Sequence, residues 1–311
     1  MRRITLVTCM LALLTFATAC DPKNKGFEHY WVISQEVDVV TLAHTENKVL
    51  GTLKFGDEVL GRKPNLGAVF PKQWLEVKFG NGRGYVDRTN LGDKAMIDEM
   101  NNLIASVKES QVQGVGETRK RIPLRLRPSS SSPLIEIIKK PAKVEVFERA
   151  VVEKEKKGTS GKEVWYKVRV EDGRIGYVPD MISLVTPSEL NQYTAAREAV
   201  AWREIDEKED PATGAKGKEY IVAYLSAGTP IDVDFSRIEL YTYDPKSSQY
   251  ATSLAKGGLL GKMPLTVRDG SDGTKIIEVR LLAKDKPGKL LVQEYSFPTP
   301  IKMIREYEVD K

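Results

Sequence analysis

Two stretches of the chain alternate apolar and polar residues in the same way. They are Trp74-Leu-Glu-Val-Lys-Phe-Gly-Asn-Gly-Arg-Gly-Tyr-Val86 and Trp165-Tyr-Lys-Val-Arg-Val-Glu-Asp-Gly-Arg-Ile-Gly-Tyr-Val178. Side chains two apart share one face of a strand, so each stretch predicts two short strands around a tight turn. The turns carry Asn81-Gly82 and Asp172-Gly173, dipeptides suited to a type I′ hairpin, whose central residues need φ > 0. A repeated element of this kind argues for a duplicated unit.

The pattern around each copy extends the picture. Residues 29–92 read as all β: Val37 to Val40, then Val49 to Leu60 broken by Phe55-Gly56-Asp57, then a loop with Gly61, Pro64, Gly67 and Pro71, then the Trp74 hairpin. Residues 93–116 read as a linking helix. Met96, Met100, Leu103, Ile104 and Val107 form one apolar stripe, with Asn90 or Asp93 as cap and Gly114 and Gly116 as stop. Residues 117–185 hold the second copy, in which a charged hairpin from Glu153 to Glu163 replaces the Pro/Gly loop. A second helix is expected from Pro187 through Leu190, Tyr193, Ala196 and Val200 to Asp210, with an exposed loop to residue 217.

Residues 218–311 return to strands: 219–225, 232–243, 259–268, 275–284, 289–297 and 301–308, separated by turn dipeptides such as Asp244-Pro245, Asp269-Gly270 and Pro287-Gly288. The expected fold is therefore mainly β. Two small barrels are joined by a helix and followed by another helix and a C-terminal antiparallel β-sandwich or barrel.

The first residues change the setting. Arg2 and Arg3 precede an apolar run from Ile4 to Phe16, and Ala17-Thr18-Ala19 leads to Cys20, the layout of a secretory signal spanning residues 1–19. The last four of these residues resemble the lipobox of bacterial lipoproteins. That resemblance implies acylation of Cys20 and a membrane anchor, with 20–28 as tether. It places the chain in a bacterial cell envelope, on the periplasmic face or outer surface.

Composition limits the chemistry. The two cysteines are Cys9 and Cys20, so nothing after the anchor supplies a disulfide, a thiolate metal site or a cysteine nucleophile. The only imidazoles are His29 and His44, too few for a zinc site without thiolates, so no metal or other cofactor is expected. Without Arg2 and Arg3 the charge balance is 46 basic to 43 acidic residues, which gives no electrostatic case for nucleic acid. Basic residues gather at Arg119 to Arg121 with Arg125 and Arg127, read as a solvated strand end. Lys256-Gly-Gly-Leu-Leu-Gly-Lys262 lacks the first Gly and the final Ser or Thr of a phosphate-binding P-loop.

The order Val-Leu-Gly-Thr-Leu-x-x-Gly-Asp-x-Val (49–59), variable loop, Trp-x-x-Val, Gly-Arg-x-Gly-Tyr-Val resembles the bacterial SH3-like (SH3b) domain, a small barrel. The second copy adds Ile122-Pro-Leu-Arg-Leu-Arg-Pro128, close to that family's entry strand, whereas Thr41-Leu-Ala-His44 departs from it. The resemblance implies a non-catalytic binder of peptidoglycan peptides or of an envelope protein. Trp74 and Trp165 are read as core, and Tyr85, Tyr166 and Tyr177 as the aromatic lining of a ligand groove. The alternative is a wall or glycan hydrolase with Asp232, Asp234 or Glu239 as acid and base in the C-terminal domain.

Overall fold

The structure, a computed structural model, describes residues 26–41, 48–64, 73–154, 161–194, 197–214, 216–270, 273–298 and 300–310. The signal, Cys20 and His44 lie outside the described residues. The protein is mainly β and divides into two compact units, one of residues 1–32 and 36–93, the other of 33–35 and 94–311.

The first unit is one curled seven-stranded sheet of β1 (Glu28–Val32), β2 (Glu36–Val40), β3 (Val49–Lys54), β4 (Glu58–Arg62), β5 (Trp74–Phe79), β6 (Gly82–Asp87) and β7 (Leu91–Gly92), in the order β3-β2-β6-β5-β4-β1-β7. Its core is aliphatic, with Val32, Val39, Leu75, Val77 and Val86 fully buried. Each such side chain is worth roughly 1.5–3 kcal/mol when withdrawn from water.

The second unit begins with α1 (Lys94–Lys108) and a second sheet: β8 (Gly114–Thr118), β9 (Ile122–Arg125), β10 (Leu134–Ile138), β11 (Lys143–Glu153), β12 (Lys162–Val170), β13 (Ile175–Pro179) and β14 (Ile182–Val185). Its order, β10-β9-β13-β12-β11-β8-β14, is the order of the first sheet strand for strand. The duplication visible in one hairpin therefore covers the whole sheet. The repeated Gly-Tyr-Val is explained by a close approach: a Cβ on Gly84 would lie 2.3 Å from Val39, and one on Gly176 would lie 2.7 Å from the Arg125 carbonyl. In each repeat the Gly lets β2 or β9 cross tightly over the hairpin.

The third sheet is a meander in strict chain order: β15 (Glu198–Glu209), β16 (Lys216–Leu225), β17 (Phe235–Asp244), β18 (Gln249–Asp269), β19 (Lys275–Leu282), β20 (Lys289–Phe297) and β21 (Lys302–Asp310). One face carries the large cluster around Phe235, Leu265, Ile277 and Phe297. The other face of β16 and β17 is covered by Leu190 and Tyr193, packed on Tyr220, Val222, Tyr224 and Tyr241. Tyr243 and Tyr250 are a cross-strand pair with ring centroids 5.3 Å apart.

Several expectations are corrected. The helix expected over 187–210 is a 3-10 turn (Ser188–Leu190) running into one turn of α-helix, α2 (Asn191–Thr194), and 198–209 is strand β15. Register shifts at Ala199/Ala201 and Glu204/Asp206 break its alternation, which is why helical spacing fitted the sequence equally well. Gly114 and Gly116 do not stop α1; they open β8, where a Cβ on Gly114 would meet Leu184 and Trp202 at 3.0 Å. The buried positions of α1 are Ile97, Met100 and Val107, while Ile104 is exposed. Neither hairpin turn has the expected type I′ form. The first centres on Gly80-Asn81, with only Gly80 at positive φ, and the second is a longer turn with only Gly173 there.

Gln113 is one of the side chains that join the second and third sheets. Gln113 is fully buried. Its N–H donates to the Val146 carbonyl of β11 at 2.6 Å, and its carbonyl accepts from Trp202 N–H of β15 at 2.7 Å. Its Nε2 donates to Leu265 O at 3.1 Å and its Oε1 accepts from Leu265 N–H at 2.6 Å. Gln111 makes the same double contact with Val267, at 2.6 and 3.1 Å. Pairing of β17 with β18 ends at Phe235↔Gly261, so the two amides satisfy β18 where that neighbour has run out. Replacing Gln113 by Ala strands the buried N–H and C=O of Leu265, at about 1–3 kcal/mol each. Urea unfolding of Gln113→Ala is expected to show a loss of about 3 kcal/mol, and of Gln111→Ala a smaller one; a Gln113→Ala loss below about 0.5 kcal/mol would refute the role.

Candidate functional site

The two closing hairpins superpose in register. Trp74 faces Asp87 as Trp165 faces Pro179, Glu76 faces Tyr85 as Lys167 faces Tyr177, and Val77 faces Gly84 as Val168 faces Gly176. Alternation then sorts the side chains. Leu75 and Val77 point into the first core, and their counterparts Tyr166 and Val168 occupy the inner positions of the second. Trp74, Glu76, Lys78 and Tyr85 lie on the outer face of the first sheet, and their counterparts Trp165, Lys167, Arg169 and Tyr177 on the outer face of the second.

The expected aromatic groove is therefore redistributed. Tyr166 lies on the other face from Tyr177: it is 8% exposed and lines a small cavity of about 220 Å³ with Arg119, Leu184, Arg197 and Val200, and burial first, then the charge of Asp180, pushes its hydroxyl up to about 12, despite a hydrogen bond with Arg149. Trp165 is buried but on the outer face, and Trp74 is half-buried. Tyr85 and Tyr177 are half-buried outer residues. Burial, then the nearby Glu148 charge, raises the Tyr177 hydroxyl above its ordinary value.

Beside each tyrosine sits a cross-strand ion pair, and the two repeats reverse its sign. In the first, Arg62 of β4 bonds Glu76 of β5 at 2.8 Å, with Arg83 as a second cation at 2.9 Å. In the second, Glu148 of β11 meets Lys167 of β12 at 2.5 Å. Lys167 also lies 5.6 Å from the centre of the Tyr177 ring. Burial alone would raise the Glu76 carboxyl, but the bonds from Arg62 and Arg83 hold it below its ordinary range. Burial would likewise lower Lys167, yet Glu148 holds it above the ordinary lysine value.

Within the second unit a cleft of about 790 Å³ opens between the second and third sheets. The β11–β12 ladder runs out to Glu153↔Lys162 and forms one wall with Phe147, Glu148 and Lys167. The other wall is the β18–β19 rim with Met263, Thr266, Arg268, Glu278 and Arg280. At its base Asp234, almost fully buried, accepts from Arg149 at 3.0 Å, from Lys262 at 2.7 Å and from Met263 N–H at 2.9 Å. Arg149 also donates to the carbonyls of Ile231 and Val233. Lys162, at the far end of the hairpin, holds Asp232 at 2.6 Å. The extended hairpin thus serves to dock the second repeat on the third sheet.

The carboxylates considered for hydrolysis are engaged with cations. Asp232 and Asp234 are paired as above. Glu239 accepts from Arg197, Arg237 and Tyr241, and although burial opposes it, these bonds hold its carboxyl below the ordinary range, the reverse of what a proton donor needs. Lys256 to Lys262 lies within β18, with Lys262 spent on Asp234. Among the described residues no three His, Cys, Asp or Glu side chains group as metal ligands, and no helix is long and apolar enough to cross a membrane. Arg149, Lys262 and Gln113 escaped sequence reasoning because their partners lie far along the chain. The sign reversal between Glu76 and Lys167 was visible once the repeats were set side by side.

No protein-family model and no curated protein matches the chain. Among solved structures it aligns with NlpC2 and NlpC1 of Trichomonas vaginalis, each at 10% identity over 91% of this chain and over 98% and 94% of theirs, with TM-scores of 0.18 and 0.17. Overlap that loose carries no argument about fold or chemistry.

The lowered Glu76 carboxyl has a pH signature. A group whose folded value lies below its unfolded one stabilises above the unfolded value, here near 4.5, and loses that contribution as pH falls through the folded value. Glu76→Gln is expected to lower the unfolding free energy by about 2 kcal/mol at neutral pH, with the difference from wild type shrinking below pH ~4.5. A pH-independent difference in urea titrations would refute the ion pair's contribution.

Proposed function

We propose that the chain is a membrane-anchored envelope lipoprotein that binds peptidoglycan peptides or an envelope protein through tandem SH3-like (SH3b) repeats and catalyses no reaction. The observation that carries the reading is the identity of strand order in the two seven-stranded sheets, with Trp74/Trp165 and Tyr85/Tyr177 in matching register. A scaffold kept constant while its outer charges and its β4–β5 or β11–β12 hairpin change is the arrangement expected of a binding module. The cleft beside the second repeat supports a peptide ligand: its mixed lining of Glu109, Glu148, Lys167, Arg268, Glu278 and Arg280 suits a chain bearing both amino and carboxylate groups. The cation-held Asp232, Asp234 and Glu239 favour binding over hydrolysis.

Purified protein is expected to co-sediment with isolated peptidoglycan and to release no soluble muropeptides. The double variant Arg268→Ala, Arg280→Ala, checked for an unchanged melting curve, should retain at least about fivefold less. Sustained muropeptide release would sink the binding reading, and equal retention would remove the cleft from it.

The anchor rests on the lipobox resemblance at Cys20. Cys20→Ala is expected to shift the protein from the membrane to the soluble fraction, and unchanged membrane fractionation would count against lipidation.

A further inference from the structure

Tyr166 and the basic group that begins at Arg119 come from separate parts of the sequence, and the fold brings them to one cavity. β14 is an edge strand of the second sheet, and β15 is an edge strand of the third. Trp202 Nε1 of β15 donates to the Val185 carbonyl of β14 at 3.0 Å and ties the two edges at one point. Beside that tie lies the cavity of about 220 Å³ that Tyr166 lines. Drug-sized ligands fill pockets of about 300–1,000 Å³, so this one has room for a ligand the size of one amino acid.

The floor of the cavity is apolar, with Ile182 and Val200 buried and Leu184 beside them. Exposed charges stand at its mouth. Arg119 is held by its Nε, which donates to Ser183 Oγ at 2.6 Å, and its terminal nitrogens have no partner among the described residues. Arg197 is held from behind by Glu239 and lies 5.4 Å over the Tyr224 ring, with 41% of its side chain exposed. Glu198 stands with them and is in no ion pair among the described residues.

Hydrogen-bonding groups complete the walls. Arg149 can only donate to Tyr166, so the hydroxyl keeps its own proton to give, within range of the Glu198 charge. The Thr118 N–H is spent on the Ala142 carbonyl, just before β11, at 3.0 Å. Ile182 lies across from Thr118. Ile182, and by alternation Leu184, therefore turn their N–H and C=O away from β8 to the open edge of the sheet.

We propose that this cavity binds a small apolar α-amino acid in its zwitterionic form. The carboxylate meets Arg119 and the Tyr166 hydroxyl, the ammonium meets Glu198, and the side chain rests on the apolar floor. A guanidinium suits a carboxylate because two parallel N–H groups match its two oxygens. A site that carries both signs discriminates against ligands lacking either charge. Neither Arg119 nor Glu198 lines the cleft between β11 and β18, so the inference is independent of what the cleft binds.

The test is a ligand-observed NMR titration of the full chain with valine, with valinamide, which lacks the carboxylate, and with N-acetylvaline, which lacks the ammonium. Saturable binding of valine is expected, about tenfold weaker for either analogue and about tenfold weaker in Arg119→Gln. The losses are selective: Arg119→Gln is expected to bind valine and valinamide alike, and Glu198→Gln to bind valine and N-acetylvaline alike. Should either variant melt early, the three ligands on the unaltered chain still decide the matter. The proposal is overturned by no saturable binding of valine, by valinamide or N-acetylvaline binding as tightly as valine, or by valine binding that neither variant changes. Valine binding lost in the Arg268→Ala, Arg280→Ala variant would assign it to the cleft and overturn the proposal as well.

Discussion

Gln113 has a backbone donor, a backbone acceptor, an amide donor and an amide acceptor, and a different demand falls on each. Two are met by β11 and β15, and two by the open side of β18. A buried amide is costly wherever any of its groups lacks a partner. Satisfying all of them at once fixes the position of the second repeat against the third sheet to within hydrogen-bond tolerance. The Asp234 network then works on a geometry already set. Arg149 reaches Asp234 because β11 has been placed by Val146, and the cleft is the space left between these two points of attachment.

Duplication accounts for most of the remaining structure. Two sheets with one strand order share the constraints that made the order stable: a close crossing at Gly84 and Gly176, and apolar inner positions at Leu75 or Tyr166 and at Val77 or Val168. Outer positions are not bound by those constraints, and they have diverged in charge as pairs. Arg62–Glu76 and Glu148–Lys167 keep an ion pair at one place with the ends exchanged. A reversed pair preserves the local energy while inverting the surface seen by a ligand, so recognition can change without disturbing the core.

Much of this was legible in the sequence, and the gaps have physical causes. Strands 219–225, 275–284 and 289–297 announced themselves as short runs rich in apolar and β-branched residues bounded by turn signals. Strand β15 did not, since its bulges spoil the alternation and its second half is nearly all charged. Strand β8 was hidden by the glycines that tight packing against Leu184 and Trp202 requires. Of the expected ligand tyrosines, Tyr85 and Tyr177 each lie on the outer face of their own sheet, while Tyr166, one step along the strand period, lies on the face opposite Tyr177. Its equivalence to Leu75 held the answer. Contacts such as Arg149 with Asp234 leave no local trace in the chain at all.

The spacing of Gln111 and Gln113 carries an evolutionary consequence. Their amides match Val267 and Leu265 because both pairs are two residues apart, one repeat of an extended chain on each side. A single inserted or deleted residue between them would turn one amide away from β18 and leave a buried carbonyl and N–H unpaired. Substitutions can accumulate over the outer faces of both repeats, but the three residues from Gln111 to Gln113 tolerate no change of length. Among descendants of this chain, that short link should be a place where indels are purged while the surfaces around it drift.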